Sequence, residues 1–124
     1  MSKKPLTGIP VVLVVEDNAL VRMVAKDMLE DSGFEVLEAD TADAALVILE
    51  REGEISTLFT DIDMPGSMDG VALATQVAAR WPLIRLVVTS GRSCMSDGDL
   101  PDAGRFLPKP YHQSDLLDVI ASAV

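Results

Sequence analysis

The sequence predicts an α/β protein, a parallel sheet covered by helices on both faces, and three observations carry that prediction. Short β-branched apolar runs alternate with stretches of helical apolar spacing along the 124 residues. The first run, Val11–Val15, is apolar at every position, as a strand buried on both faces must be. No internal repeat, low-complexity stretch or Pro/Gly/Ser linker divides the chain, whose length suits one domain with one core.

The elements follow in order. Val11–Val15 is too short for a helix and reads as the first strand. From Asn18 to Asp31, Leu20, Val21, Val24, Met28 and Leu29 recur at helical spacing, with Gly33 as a left-handed C-cap. Phe34–Glu38 has the mixed polarity of an edge strand. Thr41 can N-cap a second helix with Ala44, Ala45, Ile48 and Leu49 on its inner face, ended by Gly53. Ser56–Asp61 is a third strand, and Asp69–Arg80 a helix stopped near Pro82. Ile84–Ser90 and Gly104–Leu107 are the fourth and fifth strands, and Ser114–Ala123 closes the chain as a helix with Leu116, Leu117, Ile120 and Ala121 inward. Between the last two strands, Arg92–Ala103 has Gly98, Pro101 and short polar residues, so only one or two helical turns are expected there. Runs one, three and four are the most apolar and belong in the sheet centre. The expected architecture is a flavodoxin-like three-layer sandwich, five parallel strands in the order 2-1-3-4-5, with a short or degenerate fourth helix.

Composition excludes several function classes. Twenty acidic against ten basic residues give a formal charge of −10, a surface that repels phosphate backbones, so direct nucleic-acid binding is not expected. No apolar run approaches the roughly 20 residues of a membrane span, and Met1-Ser2-Lys3-Lys4-Pro5 leads into no signal-type apolar region. One cysteine, Cys94, excludes an internal disulfide framework and fits a reducing, cytoplasmic setting. Residues 1–8 are expected to form a flexible N-terminal tail ahead of one domain at 9–124.

In open α/β sheets ligands bind beyond the carboxyl ends of the strands. Strand one ends in Glu16-Asp17, strand three in Asp61, strand four in Thr89-Ser90, and Lys109 comes two residues after strand five. Parallel strands bring all of these to one edge. Two carboxylates about 4 Å apart repel by roughly 4 kcal/mol at an effective dielectric of about 20, equivalent to about three pKa units. Lys109 alone cannot neutralise Glu16, Asp17 and Asp61, so a hard divalent cation is the natural occupant. Mg²⁺ suits it, being often held by one or two carboxylates, waters and a substrate phosphate. Such equipment suits phosphoryl transfer, where a carboxylate can itself be the nucleophile.

At this point the chain resembles a known family, the receiver domains of two-component response regulators; a stand-alone form is expected, and a domain of a larger kinase would look similar. The likeness runs from about Val11 to about Ala123. It rests on Glu16-Asp17-Asn18 after the first strand, Asp61-Ile62-Asp63-Met64-Pro65-Gly66, Met68-Asp69-Gly70, Thr89-Ser90-Gly91 and Pro108-Lys109-Pro110-Tyr111, in that order. The resemblance implies that Asp61 accepts a phosphoryl group from a phosphohistidine on a sensor histidine kinase or histidine phosphotransfer protein. It implies Mg²⁺ ligation by Asp17 and Asp61 side chains, by Glu16 directly or through water, and by the Asp63 backbone carbonyl. Lys109 would pair with phosphoryl oxygens, its bond to Pro110 would be cis, and Thr89 would swing to the phosphoryl group with Phe106 following. The signal would leave by contact with another, unidentified protein.

Departures from the family pattern and rival readings stand beside this. The turn Met64–Gly70 looks one residue longer than the commonest form, Phe106 lacks the more usual tyrosine hydroxyl, and the weak 92–103 segment falls on the usual output element. Glu16-Asp17 alone is equally a helix N-terminus, Asp61 alone an N-cap, Thr89 a plain strand residue and Lys109 a solvated lysine. His112 is expected near the last helix's start without a catalytic task. Asp61-Ile62-Asp63 also fits the nucleophile/acid pair of haloacid-dehalogenase-like phosphatases, although their pair usually follows the first strand. A phosphate-independent pseudo-receiver is a third reading. A flavin domain is weakest, since no phosphate-binding loop follows the first strand.

Overall fold

The computed structural model describes residues 10–64, 66, 68–91, 100, 101 and 104–122. Its elements are β1 (Val11–Val15), α1 (Ala19–Asp31), β2 (Glu35–Ala39), α2 (Ala42–Arg51), β3 (Ile55–Asp61), α3 (Gly70–Arg80), β4 (Arg85–Ser90), β5 (Arg105–Pro108) and α4 (Gln113–Ser122). The five strands are parallel and ordered β2-β1-β3-β4-β5, as the alternation predicts. Expected boundaries move by no more than one residue. The expected N-terminal tail 1–8, Cys94, residues 65 and 67 of the lengthened turn, and most of the doubtful 92–103 segment lie outside the described residues.

Strand pleating divides the core into two layers. Val11, Leu13 and Val15 of β1 face Ala45 and Leu49 of α2 and Leu73 and Val77 of α3. Val12 and Val14 face the opposite layer, with Ala25 and Leu29 of α1 and Leu116 and Ile120 of α4. The helix starts are capped by side chains: Asn18 Oδ1 accepts from Leu20 and Val21 N–H at 3.0 Å each, Thr41 Oγ1 from Ala44, and Asp69 Oδ1 from Ala72. Gly33 takes the left-handed φ of +94° expected of a C-cap.

Packing buries only part of the apolar arc of α1. In α1 the buried side chains are Ala25 and Leu29, whereas Leu20 is 65% and Val24 44% exposed. Five apolar positions make a stripe wider than the sheet contact. The small Ala25 lets the helix approach the sheet closely, and Leu20 and Val24 are left on the flank toward Pro110 and Tyr111. No helix among the described residues is long and apolar enough to cross a membrane.

Candidate functional site

The sheet register assembles the site. Thr60 lies opposite Val15, Asp61 opposite Thr89, and Pro108 opposite Ser90, so the residues that follow each strand emerge together. Lys109 comes directly after β5, and its backbone N–H donates to Ser90 O at 3.0 Å, tying the end of β5 to the end of β4. The Lys109–Pro110 bond is cis.

Lys109 Nζ lies 3.0 Å from Glu16 Oε1 and 3.4 Å from Asp61 Oδ2. Glu16 Oε2 accepts the Asn18 N–H at 3.1 Å, and Arg22 Nη1 donates to the Glu16 carbonyl at 2.7 Å, so both ends of this acid are fixed. Asp61 Oδ1 accepts the Asp63 N–H at 3.3 Å. Glu16 and Asp61 are buried, while Asp17 stands exposed at the rim. One carboxylate oxygen from each of Glu16, Asp17 and Asp61 lies within 4.8 Å of the others. Against these three acids stands Lys109. That donor set, all hard oxygen with excess negative charge, fits Mg²⁺ by the chemistry of its ligands.

The electrostatics follow from burial and charge. Burial pushes the Glu16 carboxyl above its ordinary range, although the hydrogen bonds from Lys109 and Asn18 oppose the shift. For Lys109 burial pulls the ammonium down, but the Glu16 hydrogen bond and the Asp61 charge outweigh it, and the net shift is upward. Lys109 therefore stays charged at neutral pH.

Thr89 Oγ1 is fully buried and has no hydrogen-bond partner among the described residues. An unmade bond of that kind costs about 1–3 kcal/mol. Thr89 shares a small void, about 10 Å³, with Glu16 and Asp61. Phe106 is registered with Val88, and Leu107, not Phe106, stands opposite Thr89. Phe106 is half-buried against the α2–α3 layer. His112 precedes α4, and its backbone N–H donates to Asp115 Oδ2 at 3.0 Å.

Two neighbours of the site stood in the sequence motifs without an assigned role. Tyr111 lines the same void, edge-on to Phe59 at 5.8 Å, and burial together with the Glu16 and Asp61 charges pushes its hydroxyl up to about 12. Ser90 Oγ donates to Asp63 Oδ2 at 2.6 Å. A tyrosine two residues past a strand-end lysine, and a serine closing an apolar strand, were the signals available for them.

Comparison with known proteins agrees with this geometry. Residues 12–121 match the family model of the response regulator receiver domain. Over 113 residues the chain is 33% identical to the response regulator receiver protein CpdR of Brucella abortus, covering 89% of this chain and 92% of CpdR. It is also 33% identical over 113 residues to the response regulator protein FleR of Pseudomonas aeruginosa, where it spans 89% of this chain but 24% of FleR. The crystal structure of the receiver domain from the hybrid histidine kinase CckA superposes with a TM-score of 0.78 at 32% identity, covering 91% of this chain and 97% of that one.

Proposed function

The chain belongs to the response regulator receiver domains of two-component signalling, and from that premise we propose that it receives a phosphoryl group on Asp61 and signals through protein–protein contact. The observation that carries this reading is the environment of Asp61, a buried carboxylate with Lys109 Nζ 3.4 Å from Oδ2 and two further acids converging on it.

In the proposed step an Asp61 carboxylate oxygen attacks the phosphorus of a phosphohistidine on a histidine kinase or phosphotransfer protein. The P–N bond breaks, its electron pair stays on the imidazole nitrogen, and an acyl phosphate forms. Lys109 pairs with the phosphoryl oxygens as they arrive. Thr89 Oγ1, without a partner among the described residues, gains an acceptor in a phosphoryl oxygen, a charge-assisted bond of about 1.5–3 kcal/mol. Glu16, Asp17 and Asp61 side chains and the Asp63 backbone carbonyl would hold Mg²⁺, which when bound offsets charge developing on the phosphoryl oxygens. Phe106 would follow Thr89 by repacking alone, since it has no hydroxyl.

The face beside the site supports a protein as donor. Leu20, Val21, Val24 and Met28 of α1 border an apolar groove of about 350 Å³ whose far wall is Lys109, Pro110 and Tyr111. A partner helix seated there would bring its phosphohistidine to Asp61. That one relative's receiver belongs to a hybrid histidine kinase agrees with a kinase as the donor. The phosphatase reading is disfavoured by Asp63, whose carboxylate is engaged by Ser90 rather than open to a leaving group.

Intact-mass measurement after incubation with Mg²⁺ and a small phosphodonor tests the reading. A chelator-sensitive gain of one phosphoryl group, absent from Asp61→Asn, is expected. Equal labelling of Asp61→Asn would refute the acceptor assignment. Steady phosphate-ester turnover abolished by Asp63→Asn would restore the phosphatase, and loss of Mg²⁺ binding altogether would favour a pseudo-receiver.

A further inference from the structure

The end of β4 carries a contact that the phosphoryl step does not use. At 2.6 Å the Ser90 Oγ to Asp63 Oδ2 bond lies in the short range of hydroxyl–carboxylate hydrogen bonds, about 2.5–2.7 Å. It joins residues 27 apart in sequence. Its donor is 1% exposed and sits on the last residue of a buried strand, so the anchor is rigid. Its acceptor belongs to the β3–α3 connection. Among the described residues, the acids whose oxygens converge are Glu16, Asp17 and Asp61, so the Asp63 carboxylate stands outside the cluster. A second bond fixes the same residue, from Asp63 N–H to Asp61 Oδ1 at 3.3 Å.

We propose that Ser90 is a positioning residue for the cation site: by holding the Asp63 side chain to the end of β4, it fixes the backbone from which the Asp63 carbonyl serves as a ligand. This rests on the cation reading given above. Partners that orient metal ligands commonly govern affinity by about 10–100-fold when removed. Ser90→Ala changes no charge, so a loss of affinity in that variant cannot be a simple electrostatic effect.

Calorimetric Mg²⁺ titration of the full chain, with no phosphodonor present, tests the assignment. Ser90→Ala is expected to bind Mg²⁺ about 10-fold more weakly than the unaltered protein. In an Asp63→Ala background the same Ser90→Ala change is expected to have no further effect, because the two side chains act as one unit. A metal-independent readout accompanies these. Amide hydrogen exchange at Asp63 should quicken in metal-free Ser90→Ala, while Leu58 and Val87 in the sheet centre keep their protection, which also shows that the variant folds. Unchanged or tighter Mg²⁺ binding by Ser90→Ala, or additive losses in the double variant, overturns the positioning role and leaves the cation site standing. An unaltered protein that binds no Mg²⁺ overturns both.

Discussion

Gly70 opens α3 against the backbone of Asp61: a Cβ there would overlap the Asp61 carbonyl oxygen and lie 2.7 Å from its carbonyl carbon and 2.8 Å from Ile62 Cα. Backbone cannot rotate aside as a side-chain tip can, so Gly70→Ala must push α3 or the acceptor strand out of place. Overpacking of this kind costs about 1–3 kcal/mol, to be read from urea unfolding, with slower phosphorylation of Asp61 alongside it. The second prediction at this scale concerns Tyr111, the sole tyrosine of the chain. Its hydroxyl is pushed from 10.0 to about 12 by burial and by Glu16 and Asp61. Ultraviolet titration should find a midpoint near 12 in the folded protein, and Glu16→Gln should lower it. The folded state holds this proton more tightly than the unfolded one, so stability declines as pH rises from 10 toward about 12. A midpoint at the ordinary tyrosine value would show that the hydroxyl is not enclosed. Asp61, Lys109 and the Glu16-Asp17 pair were legible in the sequence because each follows an apolar strand, and parallel pairing leaves such residues one place to go. The Ser90–Asp63 bond was not legible, since a hydrogen bond between a strand-end side chain and a loop side chain leaves no periodic trace.

Among the elements, α1 shows where sequence periodicity stops being informative. Apolar spacing located the helix, but spacing does not say which part of a wide apolar arc meets the sheet. Packing settles that, and it selects Ala25 and Leu29 while leaving Leu20, Met23 and Val24 exposed. The strands were read more fully because β1, β3 and β4 are buried along nearly their whole length, so short runs rich in apolar and β-branched residues have one interpretation. The exposed flank of α1 yields a test that separates docking from chemistry. Replacing Leu20 and Val24 by Gln removes apolar surface from the groove without touching the buried Ala25 and Leu29. Stability should stay within about 0.5 kcal/mol, as for surface substitutions generally. Phosphotransfer from a phosphorylated histidine protein should slow severalfold, while labelling by a small phosphodonor stays unchanged. Equal slowing with both donors would place the effect in the acceptor site instead of the docking face.

For the molecule as a whole, the carboxyl ends of the central strands gather like charges on a chain already at −10. Folding therefore works against repulsion at the site where the protein acts. Asp61→Asn removes part of that repulsion while the Glu16–Lys109 pair remains, and metal-free stability should rise by about 1 kcal/mol, a fraction of the roughly 4 kcal/mol for two bare charges about 4 Å apart. Glu16 sets the pH dependence. Its folded pKa is raised above 4.5, chiefly by burial, so the folded state binds this proton more tightly than the unfolded state. Without metal, Glu16 favours folding below 4.5, and that contribution is lost as pH climbs through the raised folded value. A cation reverses the sign, because it binds the ionised cluster of the folded chain alone. At a concentration of about 100 times its dissociation constant, Mg²⁺ adds about 2.7 kcal/mol. Urea unfolding with Mg²⁺ and with chelator, at a pH below the Glu16 transition and again near neutrality, should therefore show a metal-dependent gain that grows with pH. Asp61→Asn should lose most of that gain while starting from the higher metal-free value. A gain of the same size at both pH values would mean that the cation binds somewhere other than beside Glu16.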